Sequence, residues 1–371
     1  MILYGLIRKP ASLLAICFII IACLLAVFAV QISPDNSPHA NRMIIELGAR
    51  EPGFSMNFVK IPRQVTENKP SLLSRWFAGA PSTHSYLPVV SYNLEGKTLQ
   101  AHHYIDDGIT DTLEFSIQAL VPEALRNAPI PEQQKWVEKH AITQQTFLLG
   151  TDKYGRDILS RLIFGTRVSL AAGLVAVILS LSIGILLGSL AGYYGGKVDA
   201  LIMWLVNILW SIPTLLLVFA ITFAFGKGFW SVFIAMGLTM WIGAARLIRG
   251  QVMVIREMEF ITAAKASGIS NLRILFRHVL PNVAGPVMVM GASNFATAIL
   301  IEAGLSFLGI GVQPPHPSWG LMIKEHYNFL LTGRAMLAFI PGIAIMILVF
   351  AFNILGNALR DLLDVRSQKN N

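Results

Sequence analysis

Charge is scarce in this sequence. Only 13% of its 371 residues are Asp, Glu, Lys or Arg, whereas a soluble globular domain carries about 25%. With 54% hydrophobic residues and a mean hydropathy of +0.60, that shortfall excludes an ordinary soluble domain and points to a membrane protein. Cysteine is almost missing. Cys17 and Cys23 both fall in the first hydrophobic run, so there is no disulfide framework and no CxxC or Cys/His cluster for zinc. The two read as small apolar packing residues. Catalytic signatures are absent as well. The chain has no GxxxxGK[ST] phosphate loop and neither GxSxG nor HExxH. It therefore has no Walker machinery with which to hydrolyse ATP, and it does not read as an enzyme. Acids are the minority among the charges, giving a net +8. The basic residues do not form a stripe on a soluble domain, so nucleic acid is not an expected partner.

What is present is a set of long uncharged runs. Six are free of Asp, Glu, Lys and Arg: Pro10–Ser33, Val168–Gly196, Ala200–Gly226, Gly228–Ala245, Val279–Ile301 and Ala335–Ala358. A bilayer core of about 30 Å needs about 20 helical residues, and lipid leaves the backbone no partner but its own helix. The first run, preceded by Arg8 and Lys9, is longer than a signal-peptide core, so it reads as a retained anchor. Six spans put three basic groups on one side: Arg8 and Lys9; Arg246, Arg249, Arg256, Lys265, Arg273 and Arg277; and Arg360, Arg366 and Lys369. By the positive-inside rule that side is cytoplasmic, with both termini. The segment from Pro34 to about Phe164 then lies outside.

Within it, residues Pro34 to about Thr146 change character. Val89–Leu94 and Thr98–Ile105 flank Glu95-Gly96-Lys97 as a hairpin, and Asp111–Leu120 reads as a further strand. Ile130–Gln144 reads as a helix with Pro131 near its start. About 110 residues suffice for a small α+β domain. His102 and His103, adjacent on a strand, point to opposite faces and do not converge on one metal ion. Trp230, Trp241 and Trp319 suit interfacial positions.

Within the runs, Gly184, Gly188, Gly192 and Gly196 recur every four residues and form a smooth packing strip. Pro213 bends the third span. Its neighbours Asn207 and Ser211, together with Asn294 and Thr297 of the fifth span, either pack helices or line a solute pathway. Glu302, at the far end of the fifth span, either lines that pathway or caps the following turn. Glu302–Gly320 (EAGLSFLGIGVQPPHPSWG) is too rich in Gly and Pro to continue a helix and reads as a rigid outer loop. Before the second run, Leu149–Ser169 (LGTDKYGRDILSRLIFGTRVS) offers Thr151-Asp152 as a cap, Gly155 in a turn, and Asp157 with Arg161 as an i, i+4 pair. The one long polar passage, Glu257–Pro281 (EMEFITAAKASGISNLRILFRHVLP), reads as two helices. Gly268 ends the first and Ser270 caps the second, Leu272–Val279. Pro281 opens the fifth span. Ala263, Ala264, Ala266 and Ser267 give the first helix a small-residue surface.

These stretches resemble the C-type permease subunit of bacterial dipeptide/oligopeptide (peptide/nickel) ABC importers, over Leu149 to about Arg366 and including the tail Asn353–Arg366. Ala263-Ala264, Gly268 and Leu280-Pro281 stand at the spacing of that family's EAA motif. Thr262 takes the motif's Glu position, and Glu259 lies three residues earlier. The resemblance implies that Glu259, Thr262, Ala263, Ala264, Ser267, Gly268, Leu280 and Pro281 couple the spans to a separate ATPase. It implies an all-α polytopic fold of six transmembrane helices with a small α+β extracytoplasmic insertion between helices one and two. The parts are 1–33 (N-terminus and first helix), 34–146 (insertion), 147–366 (permease core) and 367–371 (disordered tail). Implied partners are a homologous second permease, two ATP-binding subunits that hold the ATP and Mg, an extracytoplasmic solute-binding protein, membrane lipid, and a peptide or similar small solute. No cofactor or metal is expected in this chain. The location implied is the bacterial inner membrane. An ion-coupled secondary transporter, a nickel-type permease and a membrane-anchored scaffold are the competing readings.

Overall fold

A computed structural model describes residues 2–63, 72–226 and 228–363. It divides into two compact units. The first comprises Met1–Ala26, Thr166–Glu325 and Phe339–Asn371, and the second Val27–Gly165 and His326–Ala338. The second unit thus reaches beyond 34–146 at both ends and takes in a later loop as well. The proposed tail 367–371, Arg366 and Lys369 lie outside the described residues.

The first unit is helical. Its candidate spans are α1 (Pro10–Val27), α2 (Ile158–Tyr194, which begins in the second unit), α5 (Phe229–Arg256), α7 (Asn271–Leu308) and α8 (Met336–Leu363). Between α2 and α5 stand α3 (Gly196–Trp210) and α4 (Thr214–Phe225), bent by 94° at the break. Among the described residues there are therefore five candidate spans, and six only if this bent pair counts as one. The cause of the break is local. Pro213 has no N–H to donate to Leu209, and its ring crowds that carbonyl. The amides of Ser211 and Ile212 instead fold back on Asn207, Ile208 and Leu209 in a tightened last turn. The unbroken helices outrun the uncharged runs, because Arg161, Arg167, Arg249 and Arg273 limit hydrophobicity but not helicity.

The glycine strip of α2 meets α5. A Cβ on Gly184 would lie 2.5 Å from Ala244 Cβ, one on Gly188 2.5 Å from the Ala245 carbonyl oxygen, and one on Gly192 2.7 Å from that of Arg249. Gly196 departs from the strip. It opens α3 with φ +52°, and a Cβ there would meet nothing within 4 Å. Trp241 and Trp319 are buried rather than interfacial, whereas Trp230 is exposed. Cys17 and Cys23 are both free and exposed on α1, not packed.

The second unit carries a five-stranded antiparallel sheet of β1 (Phe54–Pro62), β2 (His84–Glu95), β3 (Thr98–Asp106), β4 (Ile109–Ser116) and β5 (Ile142–Phe147), in the order β4-β3-β2-β1-β5. β2 and β3 form the hairpin around Gly96-Lys97, with Glu95 opposite Thr98. The stretch 111–120 ends as a helical turn, Ile117–Leu120. The helix from Ile130 stops at Trp136, passes through a wide turn and gives way to β5. Val59, Val89, Leu99 and Ala101 face Ile117, Leu120 and Val137 in one core, while Phe58, Tyr104 and Phe147 fill another. His102 Nδ1 contacts Thr112, whereas His103 Nε2 lies 3.7 Å from Glu46. The Tyr104 hydroxyl donates to Asp107 at 2.7 Å. Burial, then that bond to Asp107, pushes its pKa up to about 12.

The entry to α2 is capped differently from the expectation. Asp152 caps no helix. Its Oδ1 accepts from the amides of Tyr154 and Arg156, closing a turn. Gly155 in that turn has φ +70°, and a Cβ there would lie 1.7 Å from the Ile44 carbonyl oxygen. The cap of α2 is Asp157, whose Oδ2 accepts from the Ser160 amide at 2.8 Å and from its hydroxyl. Burial holds the Asp157 carboxyl above the usual range, against those bonds. Arg161, the proposed partner of Asp157, lies with its Nε 3.7 Å from Asp152.

Candidate functional site

The Glu257–Pro281 stretch is built from α6 (Glu259–Ala266), a reversal, and the first turns of α7. The reversal is a Schellman motif. The Gly268 amide donates to the Lys265 carbonyl at 3.0 Å and the Ile269 amide to that of Ala264 at 3.2 Å. Gly268 has φ +76°, and nothing lies within 4 Å of its Cβ position. Glycine is therefore required there by backbone conformation and not by space. Ser270 stands at the N-cap position, where its carbonyl accepts from Ile274, but its side chain makes no cap bond.

The second helix is not the separate element Leu272–Val279. It runs into the fifth span through a wide π-turn, Leu275–Val279. Pro281 accounts for this turn. Its missing N–H and its ring would leave the Arg277 carbonyl both unpaired and crowded in a regular helix, and the turn lets Leu280 bond back to Leu275 instead.

One face of the stretch is an anchor. Ile261, Ala264, Ile274, Leu275 and Val279 are buried against Ile248, Val252 and Ile255 of α5. Tyr193 fixes the corner. Its hydroxyl donates to Asn271 Oδ1 at 3.0 Å, and Lys265 Nζ lies 5.6 Å above its ring. Arg256 pairs with Glu257 at 2.9 Å and donates to the Tyr193 carbonyl.

The other face is open. Glu259, Thr262, Ala263, Ser267, Gly268 and Pro281 are exposed there, and Leu280 is half-buried. Ala264 is not part of this face, because it packs inward. Sequence reasoning missed the larger groups beside the small ones: Phe260 is 45% exposed, Leu272 58% and Phe276 64%. A signal was available. Leu272 and Phe276 are spaced i, i+4 on a face offset from the buried Ile274, Leu275 and Val279.

The candidate pathway residues fall into three groups. Asn294 and Thr297 line a cavity of about 250 Å³, together with Trp210, Thr239 and Gly243. Asn294 also donates to Ser180 Oγ at 3.3 Å. Asn207 accepts from Arg246 at 2.7 Å, and the Ser211 hydroxyl donates to the Ile208 carbonyl; neither residue lines that cavity. Glu302 does not line it either. Its carboxylate is 0% exposed and accepts from the Ser306 hydroxyl at 2.7 Å. Ser306 Oγ accepts in turn from the Val312 amide, so Glu302 fastens the turn that follows α7.

Similar sequences occur among known transport proteins. The family model described as binding-protein-dependent transport system inner membrane component matches residues 184–369. A dipeptide transport system permease protein DppC of Bacillus subtilis (strain 168) is 35% identical over 237 residues, 64% of this chain and 74% of its own. A glutathione transport system permease protein GsiD of Pectobacterium atrosepticum is 41% identical over 216 residues, 58% of this chain and 71% of its own. A chain from the inward-facing MetNI methionine ABC transporter, CY5 native crystal form, superposes on 56% of this chain and 97% of its own at 20% identity and a TM-score of 0.45. With its apolar spans and a family model matching residues 184–369, this chain belongs to the family of binding-protein-dependent transport system inner membrane components.

Proposed function

We propose that this permease carries di- or oligopeptides or similar small peptide-like solutes into the cell. Its working partners are a second, homologous permease, two ATPase subunits that hold ATP and Mg, and an external solute-binding protein. The observation that carries the coupling role is the two-faced Glu257–Pro281 element. Its inner face is bolted to α5 and α7, and its outer face offers small groups flanked by Phe260, Leu272 and Phe276. A partner closing on that outer face pushes directly on two spans. ATP drives the shift only through its stronger binding to the closed ATPase. Exposed apolar and small groups carry the docking, since Thr262 supplies no charge.

The orientation follows the basic residues, with termini and coupling element in the cytoplasm. The Lys9–Asp361 ion pair at 2.7 Å supports the two ends lying on one side. The sheet-bearing unit, which also holds His326–Ala338, then lies outside. The peptide cargo rests on the relatives, among them dipeptide and oligopeptide permeases.

The test is uptake by the complete transporter in proteoliposomes, supplied with binding protein whose bound ligand has been identified by mass spectrometry. A peptide ligand, with uptake that needs internal ATP and survives a proton ionophore, is the expected result. A nickel chelate as ligand would replace the cargo. Uptake that persists without ATP and collapses with the proton gradient would indicate an ion-coupled carrier.

A further inference from the structure

Three arginines follow one another along the inner half of α5, and they are not alike. Arg249 makes a two-point pair with Asp199, both bonds at 2.5 Å. Arg256 pairs with Glu257. Arg246 has no carboxylate partner among the described residues. Its guanidinium lies flat on the Trp210 ring, 3.6 Å from the centroid, and one nitrogen donates to the neutral Asn207. It stands about 26 Å along the helix axis from Phe229, at 1.5 Å per residue, directly after the uncharged run that ends at Ala245.

Its placement says what the charge serves. Trp210 both carries the guanidinium and lines the 250 Å³ cavity. Thr239 and Gly243, which precede Arg246 by seven and three residues on the same helix face, line that cavity too. The Ser211-Ile212-Pro213 break holds Trp210 at the cavity edge. A guanidinium has five donors in a planar fork. Stacking fixes the plane and the Asn207 bond uses one donor, leaving a fork edge for a two-point bond to a carboxylate.

We infer that Arg246, which does not itself line the cavity but stacks on its lining residue Trp210, receives the carboxylate of the solute during passage. This deepens the proposed function and rests on the peptide reading: the group recognised is the free C-terminal carboxylate of a peptide.

The test uses the complete transporter in proteoliposomes, with a dipeptide and its C-terminal amide each delivered by saturating binding protein. Uptake per ATP hydrolysed is compared in wild type, Arg246→Lys and Arg246→Gln. Arg246→Gln is expected to lower dipeptide uptake per ATP roughly tenfold or more, the scale of a lost charge-assisted bond. It is also expected to shrink the wild-type preference for acid over amide, and Arg246→Lys should restore most of both. Dipeptide uptake by Arg246→Gln equal to wild type, or an unchanged acid-to-amide ratio, would overturn the inference. Uptake and ATP hydrolysis falling together in both variants would also overturn it, by making Arg246 a structural contact, for instance to the second permease. ATP-driven wild-type transport of another solute with none of the dipeptide would remove the peptide reading itself.

Discussion

Gly268→Pro is expected to abolish ATP-driven uptake while leaving a permease that inserts and extracts normally. Proline fixes φ near −65°, and position 268 requires +76°. It also removes the amide that donates to Lys265. An incompatible proline costs about 3 kcal/mol or more, which lowers the population of the native reversal by about two orders of magnitude. The damage stays local, because no side chain packs on Gly268 and the anchor residues lie to either side. Gly268→Ala is the graded companion, since left-handed backbone costs a non-glycine residue roughly 1–2 kcal/mol. Uptake in proteoliposomes should therefore rank wild type, then Ala, then Pro. Wild-type uptake by the proline variant would remove the coupling role from this element.

Gly188→Leu is expected to prevent recovery of a stable chain. The Cβ position is 2.5 Å from the Ala245 carbonyl oxygen and 3.0 Å from Ala245 Cα. Both are backbone atoms, so no side chain can swing aside and α2 must move off α5. Overpacking alone costs typically 1–3 kcal/mol. The separation also forfeits the close contacts that hold helices together where lipid removes the hydrophobic drive. Gly342→Ala is the control, because a Cβ there would meet nothing within 4 Å. Thermal unfolding of the detergent-extracted chain should leave Gly342→Ala near wild type and find Gly188→Leu strongly destabilised or aggregated. Equal stability of the two would mean that the α2–α5 contact is not structural.

How much of this was legible from the sequence depended on whether the signal was local. The uncharged runs located the unbroken candidate spans, since hydrophobicity over about 20 residues is a local property. Gly268 and Pro213 were legible for the same reason, each fixed by its own backbone chemistry. Helix ends were not. Charged residues close a hydrophobic run without ending a helix, so α2 and α5 extended past the runs that marked them. Contacts distant in sequence were least legible. Nothing near Asp152 reveals that it closes a turn while Asp157 takes the cap. Nothing near Glu302 reveals that Ser306 and the Val312 amide will bury it. In the proposed coupling element, the small residues were legible because they match a known pattern. The division of the stretch into an inner face of Ile261 and Ala264 and an outer face of Phe260, Leu272 and Phe276 depends on how its two helices pack against α5.

The most direct measurement is photo-crosslinking from position 276 in the complete transporter. Phe276 is 64% exposed on the outer face of the proposed coupling element, whereas Ile178 is exposed on the candidate span α2. A photoreactive phenylalanine analogue at 276 should join this chain to an ATPase subunit, and the same probe at 178 should not. Capture of the ATPase from 178 but not from 276, or capture of only lipid from 276, would contradict the assignment of Glu257–Pro281 as the element through which ATP moves the permease.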